Sequence, residues 1–231
     1  MHRLRPGLAA TALALACLGT AQAGRPLATD DAGTAGAGNC QVESWWQRGH
    51  DSRSVVVAPA CGIGDAVEVN GEIERSNSTP PAQTDLTLGA KWVDPGWKLG
   101  PLAFGLKAWF GQTRWSGGSQ QQGERGVSLL VSTELGADGA AHINLGRLRD
   151  PADGRQHTLL NLALTWKPAD HWLTFAEVNA VRRSPTEQFA GVRYWLHPEV
   201  LGLDLTVGQR AGQPDSRVWT LGLGWYGLRY L

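Results

Sequence analysis

The sequence predicts an all-β protein, a transmembrane antiparallel up-and-down β-barrel of about twelve strands. Apolar and polar residues alternate in about a dozen segments, most clearly over residues 201–208, which read LGLDLTVG. Turn-forming residues separate these segments at regular intervals, and a stretch with the features of a secretion signal precedes them. In such a barrel the apolar side of each strand faces lipid and the polar side faces the lumen.

Residues 1–23 have the composition of a cleaved secretory signal peptide, with a basic start, a short apolar stretch and an Ala-Gln-Ala cleavage pattern. The apolar stretch is too short to span a bilayer. Lipoprotein processing at Cys17 is the alternative. The mature chain is expected to begin near Gly24 and to reach the outer membrane of a Gram-negative cell.

The composition excludes several classes of protein. The formal net charge is zero, so no charge excess points to nucleic acid as a partner. No run of about 20 apolar residues follows the signal, so no spanning helix is expected. The sequence contains no phosphate-binding glycine loop, zinc-ligand spacing or EF-hand pattern, so we expect no metal or cofactor.

The predicted strands follow one another through short turns, and an even number places both chain termini on the periplasmic side. Their approximate ranges are 40–48, 53–61, 65–75, 83–93, 102–114, 123–135, 140–149, 155–166, 171–182, 186–196, 201–210 and 217–230. The strands would form one barrel domain over residues 40–231. The Gly-rich residues 24–39 precede it as a periplasmic segment that could either plug the lumen or hang free.

Tryptophan placement favours a membrane barrel over a soluble sandwich with a Trp-rich core. Two sets of apolar-face tryptophans lie near opposite strand ends, as expected for aromatic belts at the two membrane interfaces. The periplasmic set is Trp92, Trp166, Trp172 and Trp225, and the opposite set is Trp46 and Trp219.

Hairpin arithmetic predicts which residues lie opposite each other. A first turn at residues 49–51 sets Cys40 beside Cys61, and an even number of cysteines in an exported chain suggests a disulfide. The same arithmetic predicts three inward polar pairs, which would neutralise charge inside the barrel. They are Arg193 with Asp204, Glu187 with Arg210, and Glu134 with His142.

Several inward polar residues are candidates for function. Glu177, Arg193 and Asp204 should be neighbours across three strands, either as a constriction that selects a solute or as a network that holds the barrel closed. Lys91 and Lys107 should lie diagonally on adjacent strands, where they could attract an anion.

Catalysis is not expected. Glu134 and His142 could act as a base and its orienting group. We expect no serine or cysteine beside His142, so the chain is not predicted to be an enzyme.

Five aromatic residues are expected to point inward, namely Trp45, Trp109, Phe175, Phe189 and Trp195. A water-filled porin does not require them. They could form an apolar track for an aromatic or apolar solute, or they could fill a narrow lumen. Twelve strands lie between the side-chain-filled barrels of 8 strands and the aqueous channels of 16–18 strands, so strand number does not decide between these alternatives.

The last residues depart from common barrel practice, because the chain ends in Tyr230-Leu231 and not in the phenylalanine that barrel assembly machinery usually meets. Strict alternation would point Arg229 toward lipid, so a β-bulge or a position at the membrane interface is expected near this end.

Residues 25–34 read RPLATDDAGT and are followed by Gly36, Gly38, Gln41 and Glu43. This stretch resembles the start of a group of bacterial outer-membrane proteins labelled "meta-pathway of phenol degradation". The resemblance covers residues 25–43. It implies an outer-membrane barrel with a role in passing small aromatic compounds.

Together these features predict a channel or transporter for a small solute, with outer-membrane lipid and the barrel assembly machinery as its other partners. A non-conducting structural barrel with a filled lumen is the alternative. A barrel enzyme that acts on lipid is a remote third.

Overall fold

The computed structural model describes residues 27–77 and 82–230, and these residues form a closed antiparallel barrel. The predicted signal peptide lies outside the described residues. The strands are β1 (Asn39–Arg48), β2 (Arg53–Ile63), β3 (Val67–Ser76), β4 (Gln83–Trp92), β5 (Lys98–Leu99), β6 (Leu102–Trp115), β7 (Gln120–Leu135), β8 (Gly139–Arg149), β9 (Gln156–Ala169), β10 (Trp172–Val181), β11 (Glu187–His197), β12 (Leu201–Arg210) and β13 (Gln213–Arg229). Within these ranges no helix is long and apolar enough to cross a bilayer.

Twelve of these strands form the wall, which confirms the predicted fold. Each pairs with its neighbour in the chain, β4 pairs with β6, and β1 pairs with β13 to close the sheet. The two-residue strand β5 was not predicted, and it lies between the predicted strands 83–93 and 102–114. It folds back on the start of β6.

The barrel has two distinguishable ends. The start of β1 and the end of β13 share one end, which we call the termini end, and the hairpin between β1 and β2 lies at the opposite end, which we call the far end. In bacterial barrels the termini end is periplasmic. The connections between wall strands are short at both ends, except for residues 93–101, which join β4 to β6 and contain β5.

The apolar face of the strands points outward, as predicted. Apolar side chains from around the whole barrel remain exposed, and Trp166 and Leu221 retain 57% and 56% of their surface. All six belt tryptophans are exposed as well. A soluble sandwich would bury these side chains, since each Å² of apolar surface removed from water contributes roughly 25 cal/mol. This surface therefore suits a lipid environment.

Two of the three predicted polar pairs are confirmed by the register. Arg193 lies opposite Asp204, and Glu187 lies opposite Arg210. The pairing of Glu134 with His142 was wrong, because β8 pairs Ser132 with His142. The predicted pairing requires a turn centred on Asp138. Gly136 adopts a φ of 72°, and the chain reverses over residues 136–138, so the turn is centred one residue earlier.

The relation between Lys91 and Lys107 also differs from the prediction. They lie directly opposite each other on β4 and β6, not diagonally. The long connection between these strands folds back at β5, and this displaces the point at which the chain reverses toward Leu99. The displacement sets Lys91 opposite Lys107. Like charges that face each other destabilise a sheet unless counter-charges are present.

The expected bulge near the C-terminus is confirmed. Cys40 pairs with Leu228 but Val42 pairs with Trp225, so one residue of β1 faces both Tyr226 and Gly227. Gly227 adopts a φ of 69°, a conformation that glycine tolerates better than other residues. The Tyr226 side chain is 1% exposed, and its ring reaches the interior.

Candidate functional site

The segment of residues 27–38, which we call the N-terminal segment, lies against inward-facing side chains of the barrel. Its backbone N–H groups donate to four strands. Glu177 Oε2 accepts from Ala28 N (2.7 Å) and Thr29 N (3.0 Å), Asn144 Oδ1 accepts from Asp30 N (2.7 Å), Ser132 Oγ accepts from Ala32 N (2.8 Å), and Glu68 Oε2 accepts from Ala35 N (2.9 Å). These acceptors come from strands β3, β7, β8 and β10, so the segment crosses the barrel interior.

Two consecutive acidic residues of the N-terminal segment neutralise the facing lysines. Lys91 Nζ lies 3.3 Å from Asp31 Oδ1 and 3.5 Å from Glu68 Oε1. Asp30 bridges both cations, at 2.5 Å from Lys107 Nζ and 3.8 Å from Lys91 Nζ. The anion that the lysines attract here is therefore part of the chain itself. We call these five residues the lysine network.

Burial and the neighbouring lysines shift the pKa of the Asp30 carboxyl group in opposite directions. Burial alone would raise the pKa of its carboxyl group, but the cations of Lys107 and Lys91 outweigh burial and lower that pKa below its usual value of 3.8. The carboxylate therefore stays charged under all but strongly acidic conditions.

An apolar contact anchors the start of the N-terminal segment. Leu27 is buried with Ala163 and Phe175, which come from adjacent strands β9 and β10. Full burial of a leucine side chain contributes about 1.5–3 kcal/mol, so this contact adds to the polar ones.

The residue beside His142 is one that the sequence analysis missed. Ser132 Oγ lies 2.9 Å from His142 Nδ1, and both side chains are buried beneath the N-terminal segment. The position of the turn would have predicted this residue, because a turn centred on residue 137 places Ser132 opposite His142. Ser132 also accepts the hydrogen bond from Ala32, so the pair holds the segment in place.

A second buried cluster surrounds Arg193, and we call it the arginine network. The guanidinium makes two hydrogen bonds to the Asp204 carboxylate, from Nε (2.6 Å) and Nη2 (2.8 Å), and Nη2 lies 3.7 Å from Glu43 Oε1. The Tyr226 hydroxyl donates to Glu43. The guanidinium carbon also lies 4.9 Å from the centre of the Trp195 ring and 5.0 Å from that of Tyr226.

Glu177 belongs to a different neighbourhood from the one predicted. On β11 it pairs with Phe189, while Arg193 pairs with Leu173, four residues from Glu177 along β10. The register thus brings Arg193 and Asp204 together and places Glu177 beneath the N-terminal segment. Glu43 and Tyr226 complete the arginine network, and both come from strands that pair only when the barrel closes.

The inward aromatic rings lie over glycines on the neighbouring strand. Phe175 is opposite Gly191 and Phe189 is opposite Gly208. A Cβ atom added to these glycines would lie 2.4 Å and 2.1 Å from the respective rings. Such rings lie along the wall, and this arrangement leaves space at the centre of the barrel. Trp109 has the same relation to Gly126 and donates to Glu124 Oε1 at 2.9 Å.

Two cavities occupy the interior. One, of about 590 Å³, opens at the far end among His50, Asp51 and Ser216. The other, of about 440 Å³, extends to Lys91 and Lys107. Both are lined by Ala28, Trp45, Asn179 and Glu187, so they meet where the N-terminal segment crosses the lumen.

Among the residues that the structure describes, the polar side chains of the interior do not form a metal site. In the parts of the chain that the structure describes, no group of three or more His, Cys, Asp or Glu residues is arranged to hold a metal ion.

The predicted disulfide is confirmed, and Cys40 and Cys61 join β1 to β2 at the termini end. This bond lies close to the end of the N-terminal segment, where Gly38 N donates to Gly62 O.

Comparison with known proteins places the chain in a family. The family described as "Uncharacterised conserved protein UCP029691" matches residues 11–224. The chain belongs to this family. No curated protein matches the sequence.

Solved structures with the same fold are outer-membrane barrels. The KdgM porin superposes with a TM-score of 0.62 at 9% identity, covering 80% of this chain and 98% of the porin. The NanC porin gives 0.55 at 10% identity, covering 81% and 98%. The outer membrane phospholipase A from Escherichia coli gives 0.51 at 8% identity, covering 87% and 94%. This fold therefore carries both porins and an enzyme. These structures confirm the porin-like barrel that the resemblance of residues 25–43 implies, whereas the family that the comparisons show is UCP029691 and not the one labelled "meta-pathway of phenol degradation".

Proposed function

We propose that this protein is an outer-membrane channel for small organic cations, including aromatic ones, and that its N-terminal segment closes the termini half of the lumen. The observation that carries the proposal is the pair of interior cavities. These cavities lead from the open far end of the barrel to the N-terminal segment. The side chains that hold the segment there would otherwise line the termini half of the lumen.

The charge of the lining supports a cationic solute. Ten aspartate or glutamate side chains line the two cavities, against three lysine or arginine side chains. Two of the three cations keep a carboxylate partner when the N-terminal segment leaves, since Lys91 Nζ lies 3.5 Å from Glu68 Oε1 and Arg210 Nε lies 3.1 Å from Glu187 Oε1. A cavity lined by one sign of charge concentrates solutes of the opposite sign.

The aromatic rings support the same class of solute. Trp45, Trp109 and Phe189 line the cavities, and the face of an aromatic ring attracts a cation within about 6 Å of its centre. A small aromatic ammonium ion matches both the carboxylates and the rings. Such a solute is also consistent with the small aromatic compounds that the resemblance of residues 25–43 implies.

The N-terminal segment suits the role of a gate because its bonds to the wall are mostly polar. Its backbone donates to side chains that can bind water instead when the segment leaves. The buried atoms Asn161 Oδ1 and Asn179 Oδ1 have no hydrogen-bond partner among the residues that the structure describes, and water can supply one in this part of the lumen. Opening therefore exchanges hydrogen bonds with the segment for hydrogen bonds with water.

Uptake into proteoliposomes tests this proposal. Benzylammonium and benzoate are similar in size and opposite in charge, and each is offered to the mature chain and to a variant that lacks residues 27–35. We expect benzylammonium to enter faster than benzoate through the shortened variant, and both to enter slowly through the complete chain. Replacement of the lining residues by Glu72→Gln, Glu74→Gln and Glu124→Gln should reduce this preference. The matched control Asp65→Asn, Asp138→Asn and Asp170→Asn, in turns at the termini end, should not.

Three results would contradict the proposal. Faster entry of benzoate would show that the solute class is wrong. Exclusion of both solutes by the shortened variant would favour the non-conducting barrel with a filled lumen. Hydrolysis of lipid by the refolded chain, abolished by His142→Ala, would favour the lipid-acting enzyme, for which the contact between Ser132 and His142 is the relevant observation.

A further inference from the structure

At the far end, acidic side chains lie on the inner face of the barrel wall and arginines lie on its outer face. In the far half of the strands, acidic residues such as Glu74, Asp85 and Glu124 share the inward alternation of Glu68, Lys91 and Ser128. Arginines occupy the outward positions and the turns. Outside the lumen, the exposed arginines of the far end within the described ranges are Arg48, Arg53, Arg75, Arg114, Arg125, Arg147, Arg149, Arg155, Arg182, Arg183 and Arg217. At the termini end the exposed or half-exposed cations are Lys98, Lys167 and Arg229.

Three of these arginines form a compact group on the outer surface. Arg125 on β7 lies directly opposite Arg149 on β8, and Arg147 lies two residues further along β8. None of the ion pairs found among the described residues involves them. The acidic residues of the adjoining turn make hydrogen bonds within that turn, where Asp150 accepts from Ala152 N and Asp153 accepts from Arg155 N. Facing arginines destabilise a sheet unless an anion from outside lies between them.

An apolar groove of about 720 Å³ runs along the outer surface and ends at Arg147. The row of residues that crosses it shows how it forms. Four paired residues form one row across the strands β4, β6, β7 and β8. In that order they are Ala90, Ala108, Val127 and Arg147. The two alanines leave a depression between larger neighbours such as Trp92.

We propose that this groove and Arg125, Arg147 and Arg149 together bind a phosphorylated lipid of the outer leaflet, with an acyl chain in the groove and a phosphate on the arginines. The headgroup lies at the height where the outward apolar band gives way to arginine. Arginine suits this ligand better than lysine because its planar fork binds two phosphate oxygens at once. All eleven exposed far-end cations outside the lumen are arginines within the described ranges, although the chain also contains lysines.

Comparison with a second outer groove supports the assignment. That groove, of about 590 Å³, is lined by Ala176, Ala190 and Trp219 and has Arg217 as its cation. Each groove has one arginine in its lining. Beside the second groove, the facing pair Arg48 and Arg53 lies on β1 and β2, which do not line it. Beside the first groove, Arg125 and Arg149 lie on β7 and β8, which do line it. The proposal therefore depends on the combination of groove and arginine group. It rests on the proposed membrane location and does not depend on solute passage.

Lipid retention measured by native mass spectrometry tests the proposal. The mature chain is reconstituted in phosphatidylcholine nanodiscs that contain either bisphosphorylated lipid A or its dephosphorylated form. We expect the phosphorylated form to be retained about tenfold more strongly, since charge-assisted bonds to phosphate are lost with the other form. The triple variant Arg125→Gln, Arg147→Gln and Arg149→Gln should lose this difference. The matched triple variant Lys98→Gln, Lys167→Gln and Arg229→Gln, which removes the same charge at the termini end, should keep it.

The groove is tested separately. Ala108→Trp fills it and should lower retention of lipid A, whereas Ala190→Trp fills the second groove and should leave retention unchanged. Inorganic phosphate alone should not displace the lipid. Equal retention of both lipid forms, equal loss in the two triple variants, or full displacement by inorganic phosphate would overturn the proposal. Because the arginines lie outside the lumen, benzylammonium uptake by the triple variant should match that of the parent chain, whatever the lipid result.

Discussion

The two buried networks inside the barrel contain the same kinds of groups but are built differently. The arginine network draws all its members from strands of the wall, since Glu43, Arg193, Asp204 and Tyr226 lie on β1, β11, β12 and β13. The lysine network is incomplete within the wall. Lys91 and Lys107 face each other there, and Asp30 and Asp31 of the N-terminal segment supply the missing negative charge.

This difference separates a permanent element from a removable one. The arginine network cannot lose a partner unless the barrel opens, because hydrogen-bonded strands hold every member. The lysine network loses two partners when one short segment leaves the lumen, and water can then reach the lysines. We therefore expect changes to the arginine network to affect barrel stability, and changes to the lysine network to affect closure of the lumen.

The largest effect is expected for Arg193→Met. This change leaves the carboxylates of Asp204 and Glu43 buried without their cation, and breaking a buried ion pair costs about 3–5 kcal/mol. The free energy of unfolding, measured by urea titration of the refolded barrel in lipid vesicles, should fall by that amount. A loss below about 1 kcal/mol would show that the network contributes little.

A smaller effect on stability is expected for Lys91→Met. The change removes the cation between Asp31 and Glu68, and the N-terminal segment can relieve the buried charge by moving into water. The segment should therefore become sensitive to protease while the barrel unfolds at nearly the same urea concentration. If the barrel were destabilised as much as by Arg193→Met, the two networks would be equivalent and the comparison would fail.

Acid should release the N-terminal segment through Asp30. The pKa of this carboxyl group is lowered in the folded state, so its contribution is present above the unfolded value of 3.8 and is lost as the pH falls below that value. The groups that surround it are Lys107, Lys91 and Asn144. Protease cleavage of the segment should thus increase below pH 3.8. Asp30→Asn should show increased cleavage at neutral pH and a weaker response to acid.

The smallest effect is expected for Arg210→Gln. Arg210 and Glu187 form an ion pair in which both side chains are exposed to the solvent of the far mouth. Exposed ion pairs contribute about 0–1 kcal/mol. The urea midpoint should hardly change, and this variant serves as the control for Arg193→Met. A shift as large as that of Arg193→Met would mean that exposure does not distinguish the two pairs.

Local sequence information predicted those parts of the molecule that depend on one hairpin. Alternation gave the outward face, and turn positions gave the pairs Cys40–Cys61 and Arg193–Asp204, because a short turn fixes the register of its two strands. Where the turn was misplaced by one residue, the partner of His142 changed from Ser132 to Glu134.

Turn positions do not predict the contacts that form when the barrel closes or when the N-terminal segment enters the lumen. Glu43 meets Arg193 only because β1 pairs with β13, and no local pattern specifies that contact. The adjacent acidic residues Asp30 and Asp31 were noticed as part of a family resemblance, and their lysine partners were predicted separately. Nothing in the spacing connects residue 30 with residue 107.

Single-channel recording in a planar bilayer tests the role of the N-terminal segment most directly. The mature chain is compared with the variant that lacks residues 27–35, with the same lipid and salt on both. If the segment closes the lumen, the mature chain will show rare openings and the shortened variant will show long-lived discrete current steps. Equal conductance and open time in the two proteins, or silence in both, would contradict closure of an otherwise open lumen by this segment.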